Sequence, residues 1–101
     1  MIEVRGEVDL KDRSQMANPW SLKPDPRQLI PVLRLRILTE SGNRVQVICK
    51  GETPGDVDIG DQVIISGIDR GGVIHAKSIY NLTTNSWVTP APGILGRIFG
   101  R

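Results

Sequence analysis

Aromatic residues are almost missing from this chain. Trp20, Trp87, Tyr80 and Phe99 are the full set in 101 residues, so the core has to be built from Ile, Val and Leu, residue types that favour strands. Cysteine occurs once, as Cys49, which excludes an internal disulfide and fits a reducing compartment. Histidine also occurs once, as His75. One Cys and one His cannot supply the roughly four ligands that a zinc site needs. A Cys49–His75 couple is the one thiol–imidazole pairing on offer, but period-two patterning puts Cys49 on an inner apolar face, where small thiols are inert. Asp56, Asp58 and Asp61 lack the remaining ligand pattern of a calcium loop, and no phosphate-cradling glycine motif is present. No apolar run approaches the ~20 residues needed to cross a bilayer. The opening MIEVRGEVDL alternates charge with hydrophobicity, unlike a secretory signal. The expectation is a cytoplasmic protein without catalysis, metal or cofactor.

What is present is a segregated charge. The net charge of +2 is too small to imply a polyanionic partner by itself. Residues 23–50, however, hold Lys23, Arg27, Arg34, Arg36, Arg44 and Lys50 against Asp25 and Glu40. Residues 51–61 then hold Glu52, Asp56, Asp58 and Asp61 with no cation. Hydrophobic residues at 39% and charged residues at 24% fit one globular domain with a modest core.

Period-two alternation predicts a first strand over Ile2–Val8, with Ile2, Val4 and Val8 on one face and Glu3, Arg5 and Glu7 on the other. Gly6 falls on the apolar face and marks a bulge or bend. Residues 9–31, with Pro19, Pro24, Pro26 and Pro31, carry no sustained period and read as a long loop, functional or inserted. Val32–Thr39 and Arg44–Lys50 form a hairpin. A three-residue loop, Ser41-Gly42-Asn43, keeps the apolar faces together. It sets Ile37 against Val47, Leu35 against Cys49, Arg36 against Ile48 and Arg34 against Lys50. The last pair opposes like charges, at a cost of a few tenths of a kcal/mol up to ~1. Gln62–Ile68 is a fourth strand, apolar enough on both faces to be covered on both. Asp69-Arg70-Gly71-Gly72 is a turn, and Val73–Leu82 is the fifth strand. Within it, Ile74 and Ile79 have opposite parity, which a bulge near Lys77-Ser78 reconciles. Five short strands and no helix favour an all-β sheet closed into a barrel, because closure removes exposed edges.

Three stretches carry a family resemblance. The opening strand EVRGEV, the run Gly60-Asp61-Gln62-Val63-Ile64-Ile65-Ser66-Gly67 and the run Gly72-Val73-Ile74-His75-Ala76-Lys77-Ser78-Ile79 resemble the first, fourth and closing strands of nucleic-acid-binding OB-folds. The likeness is to the tRNA-anticodon-binding and replication-protein-like types. It implies a five-stranded OB-fold-like Greek-key barrel over residues 1–86, to which this chain adds a long loop between strands 1 and 2. The chain departs from the family pattern in the length of that loop, in having no helix between strands three and four, and in having no aromatic on strands two and three.

On this reading Arg34, Arg36, Arg44 and Lys50 track a phosphate backbone across strands two and three, the surface such barrels commonly use. Gln46 bonds a base edge, and Ile48 packs on sugar or base. Lys23 and Arg27 add charge from the long loop, and Trp20 either folds over the ligand or plugs the barrel end. The partner is single-stranded DNA or RNA, held by charge with little sequence preference. The competing account of the cations is a plain solvated outer face that deters edge pairing. Residues 87–101 read as a linker and a flexible apolar and basic tail, and Trp87 is expected to pack on the barrel. Ile94, Leu95, Ile98 and Phe99 fall at helical spacing, which suits a protein or membrane-surface contact. An OB-fold adaptor within a larger or membrane-associated assembly is therefore the alternative function, with oligosaccharide binding third.

Overall fold

A computed structural model describes residues 1–17 and 29–90 of the chain. They form one sheet of six strands: β1 (Ile2–Ala17), β2 (Leu29–Thr39), β3 (Arg44–Lys50), β4 (Gln62–Arg70), β5 (Val73–Asn81) and the two-residue β6 (Ser86–Trp87). No helix occurs among the described residues. The strands neighbour one another in the order β3-β2-β1-β4-β5-β6, and β3 also pairs with β5. The first five strands therefore form a closed ring. Every pairing is antiparallel except the closing seam of β3 with β5, which is parallel. The all-β class and the five-stranded closed sheet expected from the alternation are both present.

The interior follows the predicted parity. Val8, Leu33, Leu35, Ile37, Val47, Cys49, Val63, Ile65, Ile74 and Ile79 point inward and are buried. Each such aliphatic side chain contributes about 1.5–3 kcal/mol on full burial. Two further core residues come from outside the ring strands. Val57 lies in the acidic loop after β3 and is fully buried; Val88 follows β6 and is fully buried too. Gly55 N donates to Val88 O at 3.0 Å, and Val88 N donates to Ile79 O at 3.0 Å, so the two segments close the same part of the interior. Charge counting hides Val57: Val57 and Ile59 alternate with Asp56 and Asp58, and only contacts remote in sequence decide that Val57 is buried while Ile59 is exposed.

The first strand is longer than its apolar alternation. Past a register break at Asp9, β1 continues through Leu10–Ala17 and pairs with Leu29–Arg36. The expected loop over 9–31 is thus corrected to a connection over 18–28, which lies outside the described residues. Residues 12–15 are exposed, so no inward face imposes alternation on them. Pro31 is tolerated because it stands at the end of the β2–β3 ladder, where its carbonyl still accepts from Gly51 N at 2.8 Å and its missing N–H removes only the last rung. Gly6 is not the bulge. It is buried beneath β2, where a Cβ would collide with the Leu38 carbonyl oxygen and with Ile37 Cγ2.

The hairpin loop has the expected three residues, but they are Glu40-Ser41-Gly42. Thr39 N donates to Asn43 O and Gly42 N to Thr39 O, both at 2.9 Å, and Gly42 takes φ +85° as the last loop residue. The register therefore differs by two from the expected one. Leu33 faces Cys49, Leu35 faces Val47, Arg34 faces Ile48 and Arg36 faces Gln46. A shift of two keeps every side chain on its face, so the core is unchanged and only the partners differ. The like-charge pair of Arg34 with Lys50 is not made.

β4 extends to Arg70, and the turn reduces to Gly71-Gly72, both with positive φ, as a two-residue hairpin loop requires. The β5 bulge falls where the parity change predicts it. Ser66 pairs with Ser78 and Gly67 with Ala76, leaving Lys77 as the extra residue. Trp87 lies against the ring as expected, and so do Val88 and Thr89, which the sequence assigns to the tail. The Trp87 ring meets Tyr80 edge-on at 5.0 Å, and Ile79 N donates to Thr89 Oγ1 at 3.0 Å. Residues 91–101 lie outside the described residues.

Candidate nucleic-acid interface

The outward residues of β2 and β3 form one continuous band. Antiparallel pairing puts Arg34 beside Ile48, Arg36 beside Gln46 and Leu38 beside Arg44, and Lys50 ends the band opposite Val32. Neither strand contains an acidic residue. Arg44, Gln46 and Lys50 are exposed, and Ile48 is half-buried. The structure thus brings together six of the residues singled out from the sequence. Trp20, Lys23 and Arg27 lie outside the described residues.

Among the described residues, the carboxylates that reach this band come from β1. At the register break, Asp9 turns onto the β2–β3 surface. Arg36 Nε donates to its Oδ1 at 2.7 Å and Arg44 Nε to its Oδ2 at 3.2 Å. The bond from Arg36 is the largest influence on the Asp9 carboxyl and holds it below the ordinary carboxylate range. Partial burial pushes the other way, and the bond from Arg44 and the charges of both arginines lower it again. Arg34 donates to Ser14 Oγ at 2.8 Å and stands 3.9 Å from Asp12 Oδ2. Among the described residues no carboxylate pairs with Lys50.

These pairs temper the charge of the band without removing its access. Arg34 and Arg44 keep 51% and 62% of their side chains in solvent, while Arg36 keeps 33%. Ion pairs this exposed are weak, because water and salt screen them. Asp9 and Asp12 were not among the expected site residues. Asp9 follows directly on the alternating run, and a lone acid just past a strand end carries no sequence mark of a bulge.

Two further cations adjoin the band. Arg70 at the end of β4 and Lys77 in the β5 bulge stand with Lys50 around a depression at the β3–β5 seam. The bulge was legible in the parity change; the convergence of its lysine with Lys50 was not, because it depends on ring closure.

Aromatic stacking has no described platform here. Tyr80 and Trp87 engage each other on β5 and β6, and Tyr80 Oη bonds Asn85 Oδ1. Cys49 faces inward opposite Leu33, and burial pushes its thiol above the ordinary value, away from the thiolate a nucleophile needs. No group of three or more metal-ligating side chains occurs among the described residues. No helix among them is long and apolar enough to cross a membrane.

Comparison with protein-family models, with curated proteins and with solved structures returns no match for this chain. The described residues form an all-β domain with a closed five-stranded ring.

Proposed function

We propose that this chain is an OB-fold-type barrel that binds single-stranded nucleic acid, without catalysis, through the outer face of β2 and β3. The ring order β1-β2-β3-β5-β4, antiparallel apart from its closing seam, supports the OB-fold reading. The observation that carries the function is the band itself. Arg34, Arg36, Arg44 and Lys50 share one outward surface on strands that have no acid of their own. Arginine forks onto phosphate oxygens and lies flat on bases, which suits a surface lacking aromatic rings. Gln46 and Ile48 between the cations offer a base-edge hydrogen bond and an apolar contact. Binding of this kind is charge-driven, weak and tolerant of sequence.

Counterion release supplies the test. With three or four phosphates neutralised, log K falls against log salt with a slope of about −2 to −3 for a single strand. Arg34→Ala combined with Arg36→Ala should flatten that slope by roughly 1.4. Binding with the same affinity and slope in the double variant would remove this face from consideration. The second reading, a protein-interaction module, is favoured by Asp9 occupying two of the four cations and by the exposed Ile68. A partner bound with no salt dependence, and released by Ile68→Asp, would select it.

A further inference from the structure

We propose that the depression at the β3–β5 seam is a binding site for a phosphate monoester. It has a volume of about 190 Å³, and Lys50, Arg70 and Lys77 surround it with Ile48, Ile68 and His75 between them. Its cations differ from those of Arg36 and Arg44. Among the described residues, no carboxylate pairs with Lys50, Arg70 or Lys77.

The backbone builds this place. Lys77 is the unpaired residue of the β5 bulge, and a bulge re-aims the side chain it carries. Gly67, on the facing strand, lets β5 approach: a Cβ there would run into the His75 carbonyl and the Ala76 backbone. His75 pairs with Ile48 across the parallel seam and with Ile68 across the antiparallel one, which sets both isoleucines beside the imidazole. The cations therefore converge from three strands that meet only because the ring closes.

Like charges gathered around one small depression repel each other until an anion sits between them. A compact ligand with more than one negative charge gains most. A phosphate monoester carries about −1.5 to −2 at neutral pH and presents three acceptor oxygens. A phosphodiester within a strand carries a single charge and suits cations strung along a band, as on β2 and β3. Ile48 and Ile68 give the attached carbon skeleton an apolar wall. Joined to the nucleic-acid reading, on which this extension rests, the occupant is the phosphorylated end of a strand.

The test is an NMR titration with inorganic phosphate and with two matched short single strands, one ending in a 5′ phosphate and one in a hydroxyl. Saturable shifts are expected at the amides of Ile48, Ile68 and His75. The phosphorylated strand should bind roughly tenfold more tightly than its hydroxyl counterpart. Arg70→Ala combined with Lys77→Ala should abolish both the phosphate shifts and the preference, while Arg34→Ala with Arg36→Ala leaves the phosphate shifts in place. Phosphate shifts that are absent, or that persist unchanged in the Arg70/Lys77 variant, would overturn the site. Failure of the hydroxyl-ended strand to bind would remove the nucleic-acid reading alone, with inorganic phosphate still deciding whether the site exists.

Discussion

Asp9 sits between two arginines that belong to different strands, and its carboxyl reports on both. Because Arg36 and then Arg44 hold it below the ordinary carboxylate range, it adds stability above that range. The contribution is lost as pH falls through the lowered value. Asp9→Asn should therefore be less stable than the wild type at neutral pH, and the difference should fade in urea unfolding followed from about pH 7 to about pH 2. A difference constant over that interval would mean that the carboxylate charge is not what matters. The same substitution frees both guanidinium groups, so oligonucleotide binding should strengthen and its salt dependence steepen. Weaker binding would instead make Asp9 the residue that positions the arginines for ligand.

At the scale of elements, the loop after β3 is held by side chains as well as by packing. Asn81, fully buried at the end of β5, donates from Nδ2 to Asp61 Oδ2 at 2.8 Å and to Asp56 O at 3.2 Å. Its Oδ1 accepts from Thr83 N at 3.0 Å and Thr84 N at 3.2 Å. One amide thus ties the acidic loop and the turn before β6 to the same strand. Asp61 Oδ2 also accepts from Asp58 N at 2.9 Å, which fixes the loop beside Val57. Asn81→Ala removes these four hydrogen bonds, each worth about 0.5–1.5 kcal/mol net. The midpoint of chemical unfolding should fall accordingly, with Gly55 and Asp58 losing amide protection first. Asn81→Ala at wild-type stability would show that Val57 and Val88 alone hold the loop. The strands themselves were readable from alternation, down to the bulge at Lys77. The second half of β1 was not, because residues exposed on both faces leave no period to read.

For the whole molecule, closure is the weak link. The parallel seam joins only Gln46–Ile48 to Val73–His75, whereas β1 pairs with β2 from Gly6 to Ala17. Parallel pairing is also slightly less stable per residue than antiparallel. Native-state hydrogen exchange in low denaturant should show the amides directed across the seam opening at lower free energy than those joining β1 to β4 around Val4 and Ile65. Protection of the seam equal to the global stability would make the ring one cooperative unit. The point bears on function, since the β2–β3 band and the seam depression both depend on β3 being held from both sides.

Much of this protein was fixed by local pattern. Period two decided which residues of each strand face inward, hence the core of Val, Leu and Ile, the burial of Cys49 and the outward direction of Arg34, Arg36, Arg44 and Lys50. Those outcomes survive a register shift of two, because side-chain direction depends on parity alone. Partners do not survive it. Which residue opposes Arg34, how far β1 runs, that Asp9 reaches Arg36 and Arg44, and that Lys77 converges with Lys50 and Arg70 were decided only by the tertiary structure. Each rests on contacts between residues remote in sequence, set by turn closure, backbone approach at Gly6 and Gly67, and the meeting of β3 with β5.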